Sequence, residues 1–125
     1  MTEIDNKELA RRLRQNVLED LDLWSLKNKQ LEYQVNGPGA DVSSELFKQW
    51  KNLYCPESIH FNLAFDEKEQ KILADFDILL NHICDKTQTY LPIITDFVKT
   101  NDWIVLNQAA ISTLKRIKTI SVSKS

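Results

Sequence analysis

Glycine is scarce in this sequence. Only Gly37 and Gly39 occur among 125 residues, and they lie two positions apart. Phosphate-binding loops of the G-x-x-x-x-G-K-[ST] and G-x-G-x-x-G kinds need glycines at fixed spacings to bring the backbone close to the phosphates. The sequence therefore excludes nucleotide-binding folds of those kinds. The run Asn36-Gly37-Pro38-Gly39 is instead the strongest turn signal in the chain.

Cysteines and long apolar runs are also few. Cys55 and Cys84 are the only cysteines, too few for a disulfide framework, which favours a reducing compartment. The longest apolar run is Trp103-Ile104-Val105-Leu106, whereas a bilayer span takes about 20 residues. The first eight residues carry acids where a secretory signal would carry bases. We expect a cytoplasmic protein without a membrane segment.

The chain has the size and composition of one globular domain. It has 125 residues, of which 42% are apolar and 27% are charged, and its net charge is −2. That length suits a single core. We expect a mainly α, single-domain bundle of about five helices over residues 1–120, followed by a frayed tail over 121–125.

Apolar residues at helical spacing, together with capping residues, define the five helices. The first follows Asp5, the second follows Asp41–Ser44 and stops at Cys55-Pro56, the third follows Asp66, the fourth has Pro92 in its first turn, and the last covers 103–118. One residue disturbs the first stripe, because Asp20 falls within it. We expect this helix to kink, end or be enclosed on two faces between Asp20 and Ser25.

Two segments show the alternation typical of strands. Residues 59–65 read Ile-His-Phe-Asn-Leu-Ala-Phe, and residues 31–35 read Leu-Glu-Tyr-Gln-Val. Because a lone strand leaves its backbone unpaired, the pattern allows a short two-stranded β-ribbon. The partner of 59–65 would be 31–35 or 103–106.

The residues that could carry chemistry do not form a convincing site. Cys55, His60, His82 and Cys84 are the only soft metal ligands, and His82 and Cys84 diverge by about 200° on a helix. Ser58 near His60 lacks the surroundings of a catalytic nucleophile. Asp75 lies one helical turn too far from His82 for direct contact. We predict no catalytic residue, no metal site and no cofactor.

Charge is distributed unevenly along the chain. Residues 66–102 hold eight acids and four bases, whereas 103–125 hold four bases and no acid. An acidic surface of this kind suits a basic partner protein. We predict that six acids bind the partner: Asp66, Glu67, Glu69, Asp75, Asp77 and Asp85. Ile78 lies opposite the apolar stripe of the same helix, which indicates contacts on both sides, within the fold or with a partner.

The sequence thus favours a non-catalytic protein-binding module, and its most specific form is an immunity or antitoxin protein that covers the basic active site of a nuclease toxin. One alternative is a small enzyme that uses His60 or His82 with a nearby acid. A second is a nucleic-acid regulator that uses Arg11, Arg12 and Arg14 with the cluster at 115–118; the low pI near 5.7 disfavours it. Homo-oligomerisation stays open.

Overall fold

A computed structural model describes residues 5–36, 41–87 and 93–123 of the chain. These ranges contain seven helices and no strand. The helices are α1 Asn6–Ser25, α2 Lys27–Asn36, α3 Val42–Leu53, α4 Ile59–Ala64, α5 Glu67–Lys86, α6 Ile94–Phe97 and α7 Asn101–Ser123. The prediction of a mainly α fold is confirmed. The helix count was too low, because both segments predicted as strands are helices.

Side-chain caps start α1, α3 and α5 where the sequence predicted. Asp5 accepts a hydrogen bond from the amide of Glu8 at 2.8 Å, and Asp41 accepts one from the amide of Ser44 at 3.3 Å. The caps satisfy amides that have no partner within the helix. Helix α3 ends at Leu53, before Pro56 as predicted, and α7 covers the predicted range 103–118.

The first helix lies at the centre of the fold, where it packs against α2, α3, α4 and α7. An aromatic core fills the space between these elements. Trp24 meets Phe47 edge-on at 5.4 Å between ring centroids, and Trp50 meets Phe76 edge-on at 4.8 Å. Such pairs add to the stability that burial of their large apolar surfaces provides.

The prediction of a strand or extended segment at 59–65 was wrong. Ser58 accepts a hydrogen bond from the amide of Phe61 at 3.0 Å and starts α4. Phe61 and the cap residue Phe65 are buried, whereas Ile59 is 67% exposed and Leu63 55%. Positions i and i+4 share a helix face, so the alternating pattern splits into one buried pair and one exposed pair.

The strand predicted at 31–35 was wrong as well, and with it the β-ribbon. This segment belongs to α2, which follows α1 after a break at Leu26. Gln30 holds the junction, because its Nε2 donates to the carbonyls of Leu23 at 3.0 Å and Trp24 at 3.2 Å. Its Oε1 accepts a hydrogen bond from Trp103 Nε1 at 2.9 Å. A buried glutamine thus fixes the chain direction where the sequence pattern suggested a strand.

Three further expectations concern helix ends. The first helix ends at Ser25, which matches the alternative of a helix that ends between Asp20 and Ser25, and Leu18 and Leu23 pack on the core. The fourth predicted helix is only the short α6. Pro92 and the turn at 37–39 lie outside the described residues. Helix α7 reaches Ser123 and so includes the first three residues of the segment 121–125.

Candidate functional site

Three of the six predicted partner-binding acids are engaged within the fold. Asp66 and Glu69 form a capping box, in which the Glu69 amide donates to Asp66 at 2.8 Å and the Asp66 amide donates to Glu69 at 3.1 Å. Asp77 accepts a hydrogen bond from Trp50 Nε1 at 2.9 Å. These carboxylates stabilise α5 and its packing on the core. Their contacts would have to be disturbed before they could bind a partner.

Glu69 is also joined to the first helix. Its side chain is buried, and its Oε2 accepts from Arg14 Nη2 at 2.7 Å. Arg14 donates in addition to the carbonyl of Ala64 at 2.9 Å, and its guanidinium lies 5.2 Å from the ring centroid of Phe65. The pair therefore connects α1, α4 and α5. The sequence predicted partner binding for Glu69 and placed Arg14 in a basic cluster, so it did not predict this pair.

The other three predicted acids, Glu67, Asp75 and Asp85, are exposed on α5. They share one side of the helix with Ile78, which is 66% exposed. Asp75 precedes Ile78 by three residues and Asp85 follows it by seven, so both lie along the same helical row. We call Glu67, Asp75, Ile78 and Asp85 the acidic face of α5; one exposed base, Lys71, lies on the same side, seven residues before Ile78.

Neither histidine is paired with one of these acids. The His60 Nε2 atom lies 3.1 Å from Asn6 Oδ1, at the contact between α4 and α1. His82 is exposed on α5. Within 5–36, 41–87 and 93–123, neither imidazole forms an ion pair with a carboxylate. The same ranges contain no group of three or more Cys, His, Asp or Glu side chains that could hold a metal ion.

The basic clusters from the two ends of the chain meet in a groove between α1 and α7. Arg11, Arg14 and Lys118 line it, together with Glu19 and Asp22. Arg11 is already paired with Glu8 at 2.6 Å, and the hydrogen bond from Arg11 lowers the Glu8 pKa to about 2. Because acids line the same groove and both arginines are paired, its positive charge is largely compensated.

A second groove lies between α5 and α7, and the exposed acids Glu67 and Asp75, each four residues from Lys71 along α5, do not line it. It has a volume of about 510 Å³. Its lining residues are Lys68, Lys71, Ile72, Lys115, Arg116, Thr119 and Ile120. Four cations therefore surround two isoleucines, and no carboxylate is among the residues described at this groove. The cluster at 115–118 is visible in the sequence. Lys68 and Lys71 of α5 are not, because they lie in a segment of net negative charge.

A third groove lies between α1 and α3 and has a volume of about 370 Å³. Asp20 lines it and is only 5% exposed. Its Oδ2 has no hydrogen-bond partner within the described part of the chain. Burial removes water from the carboxyl group and raises its pKa to about 7, since desolvation disfavours the charged form.

Comparison with known proteins assigns no family to this chain. No family model, no curated protein and no solved structure matches the chain. In the described ranges, every helix is too short or too polar to cross a bilayer. The functional inference therefore depends on the surfaces themselves.

Proposed function

We propose that this protein is a non-catalytic protein-binding module whose acidic face on α5 engages a basic surface of another protein. One observation carries the proposal. Three exposed carboxylates, which form no hydrogen bond with another described residue, lie on the same side of α5 as the exposed side chain of Ile78. Protein interfaces commonly combine an apolar centre with a polar rim, and the acidic face has this arrangement.

The two kinds of side chain would have different roles in binding. Ile78 offers an apolar anchor that becomes buried against the partner. Asp75 and Asp85 offer charges at the rim, which accelerate association with a basic surface and make it sensitive to salt. The engaged acids Asp66 and Glu69 would act indirectly, by fixing the start of the helix that carries this face.

The most specific form of the proposal is an immunity or antitoxin role. An acidic face of this kind complements the basic active site of a toxin that cleaves nucleic acid. We place this role in the cytoplasm, where the free thiols of Cys55 and Cys84 are stable.

The test is affinity copurification from the native host with three forms of the protein. The first is the wild type, the second carries Asp75→Lys with Asp85→Lys, and the third is the control Glu32→Lys. Glu32 is an exposed acid on α2, away from the acidic face. We expect one partner with the wild type and the control, and its loss with the α5 variant. Raising the salt concentration should also release it.

The immunity role has its own readout. The captured partner, once purified, should cleave nucleic acid, and the wild-type protein should inhibit that cleavage while the α5 variant does not. Equal capture by all three forms, or a complex indifferent to salt, would contradict binding through the acidic face. A captured partner that is a second copy of this chain would replace the proposal with self-association.

The two alternatives receive less support from the geometry. An enzyme that uses His60 or His82 needs an acid beside the imidazole, whereas His60 contacts Asn6 and His82 is exposed. A nucleic-acid regulator needs the basic clusters of both ends on one surface, and Arg11, Arg14 and Lys118 do meet. However, the arginines are paired with Glu8 and Glu69, which reduces the charge left for phosphates.

A further inference from the structure

Four basic side chains line the groove between α5 and α7. Lys68, Lys71, Lys115 and Arg116 are all exposed. In the described part of the chain, none of them has a carboxylate oxygen within 4.0 Å. Four cations around one groove create a local positive potential that attracts anionic groups, even though the whole chain is slightly acidic. We call this site the basic groove.

The floor of the basic groove indicates what else the ligand must contain. Ile72 is buried and Ile120 is half-buried, and both line the groove beneath the charges. No aromatic side chain is among its described lining residues. Proteins that bind single-stranded nucleic acids combine a basic groove with aromatic side chains on which bases stack, so a floor without aromatic residues suits an aliphatic group better than a base.

We propose that the basic groove binds an acidic, amphipathic segment of a partner protein. An aliphatic side chain of that segment packs on Ile72 and Ile120, and carboxylates on either side of it pair with the four cations. A volume of about 510 Å³ lies in the range of sites that enclose compact ligands, so it accommodates one or two side chains of a docked helix. The acidic face of α5 selects a partner of the opposite charge, so this inference goes beyond the proposed function.

The test uses the full chain and a labelled helical peptide of about 15 residues, with leucines at positions i and i+4 flanked by glutamates. Fluorescence anisotropy measures its affinity for three forms of the protein. The groove variant is Lys68→Glu with Arg116→Glu, which reverses one charge on each wall. The control variant is Lys48→Glu with Lys99→Glu, which reverses two exposed lysines that do not line the groove. Circular dichroism verifies that all three keep their helical content.

We expect the groove variant to bind the peptide at least about tenfold more weakly than the wild type, since reversing a rim charge replaces attraction with repulsion. The control variant should bind like the wild type. A peptide with alanines in place of the leucines should bind more weakly, and added salt should weaken every affinity. Amide chemical-shift changes caused by the peptide should fall on the first turns of α5 and the C-terminal half of α7.

Three results would overturn the proposal. The first is the absence of saturable binding of the leucine peptide. The second is equal binding by the groove and control variants, which would mean that the peptide responds only to net charge. The third is tighter binding of a labelled DNA or RNA oligonucleotide of matching charge, with loss in the groove variant, which would assign the groove to nucleic acid.

Discussion

Replacing Asp20 with asparagine should change how the stability of this protein depends on pH. Asp20 lies on the inner side of α1, 5% exposed, and its Oδ2 has no hydrogen-bond partner within the described residues. Desolvation raises the pKa of its carboxyl group from 3.8 to about 7. The folded protein therefore holds a proton that the unfolded chain has already released at pH 5 to 6.

The sign of the effect follows from proton binding. Between pH 3.8 and about 7, the folded state binds more protons at Asp20 than the unfolded state, so the free energy of unfolding falls as the pH rises. From about one unit above the folded-state pKa, at pH 8, both states are ionised and the loss is nearly complete. Since one pKa unit corresponds to about 1.4 kcal/mol, the full loss is about 4 kcal/mol, of which about 2.5 kcal/mol falls between pH 5 and pH 8.

Urea denaturation followed by tryptophan fluorescence measures this difference. Asp20→Asn should gain about 2.5 kcal/mol relative to the wild type on going from pH 5 to pH 8. The comparison of two pH values cancels the effect of the amide itself, because that effect is the same at both. Glu19→Gln, at an exposed neighbouring position, is the control and should show almost no change. If Asp20→Asn shifts stability equally at both pH values, Asp20 does not titrate in the folded protein as argued.

Three further predictions concern the elements that the sequence pattern missed, and each is checked by chemical denaturation. Phe61→Ala should cost about 3 to 5 kcal/mol, whereas Ile59→Ala should cost less than about 0.5 kcal/mol; similar losses at both positions would contradict a helical α4. Ser58→Ala should cost about 1 kcal/mol through loss of the cap, and a neutral result would remove its role in starting α4. Gln30→Ala should cost about 2 to 3 kcal/mol because the buried Trp103 Nε1 loses its acceptor; an unchanged midpoint would show that water replaces it.

The sequence predicted α1, α3 and α5 because two independent signals agreed at each of them. Asp5, Asp41 and Asp66 supply caps, and apolar residues follow each cap at helical spacing. The short helices lack this agreement. In α4, six residues allow only one buried position besides the cap residue Phe65, and residues spaced by four positions also satisfy a period of two. Tertiary contacts therefore decide between strand and helix there.

The sequence pattern did not predict helix α2, for a different reason. Its exposed Val35 and Tyr33 carry no information about a buried face. Gln30 holds the start of α2, and its contact with Trp103 joins residues 73 positions apart in the chain. The spacing of apolar residues in one sequence predicts which faces are buried. It does not identify a buried polar side chain, such as Gln30, that hydrogen-bonds to two helix ends.

The candidate surfaces show why charge counted along a sequence misleads. Residues 66–102 have a clear excess of acids, yet Asp66, Glu69 and Asp77 bond within the fold. The sequence does contain a signal for the internal position of Glu69. This residue precedes the core residue Phe76 by seven positions, so both lie on the same helix face. A carboxylate on an apolar face needs an internal partner, and Arg14 supplies it. The charge count also misses a basic surface, to which the lysines of α5 contribute. Lys68 lies in the acidic segment by sequence, but it lines the same groove as Arg116 of α7, so the basic groove arises only when the two helices pack together.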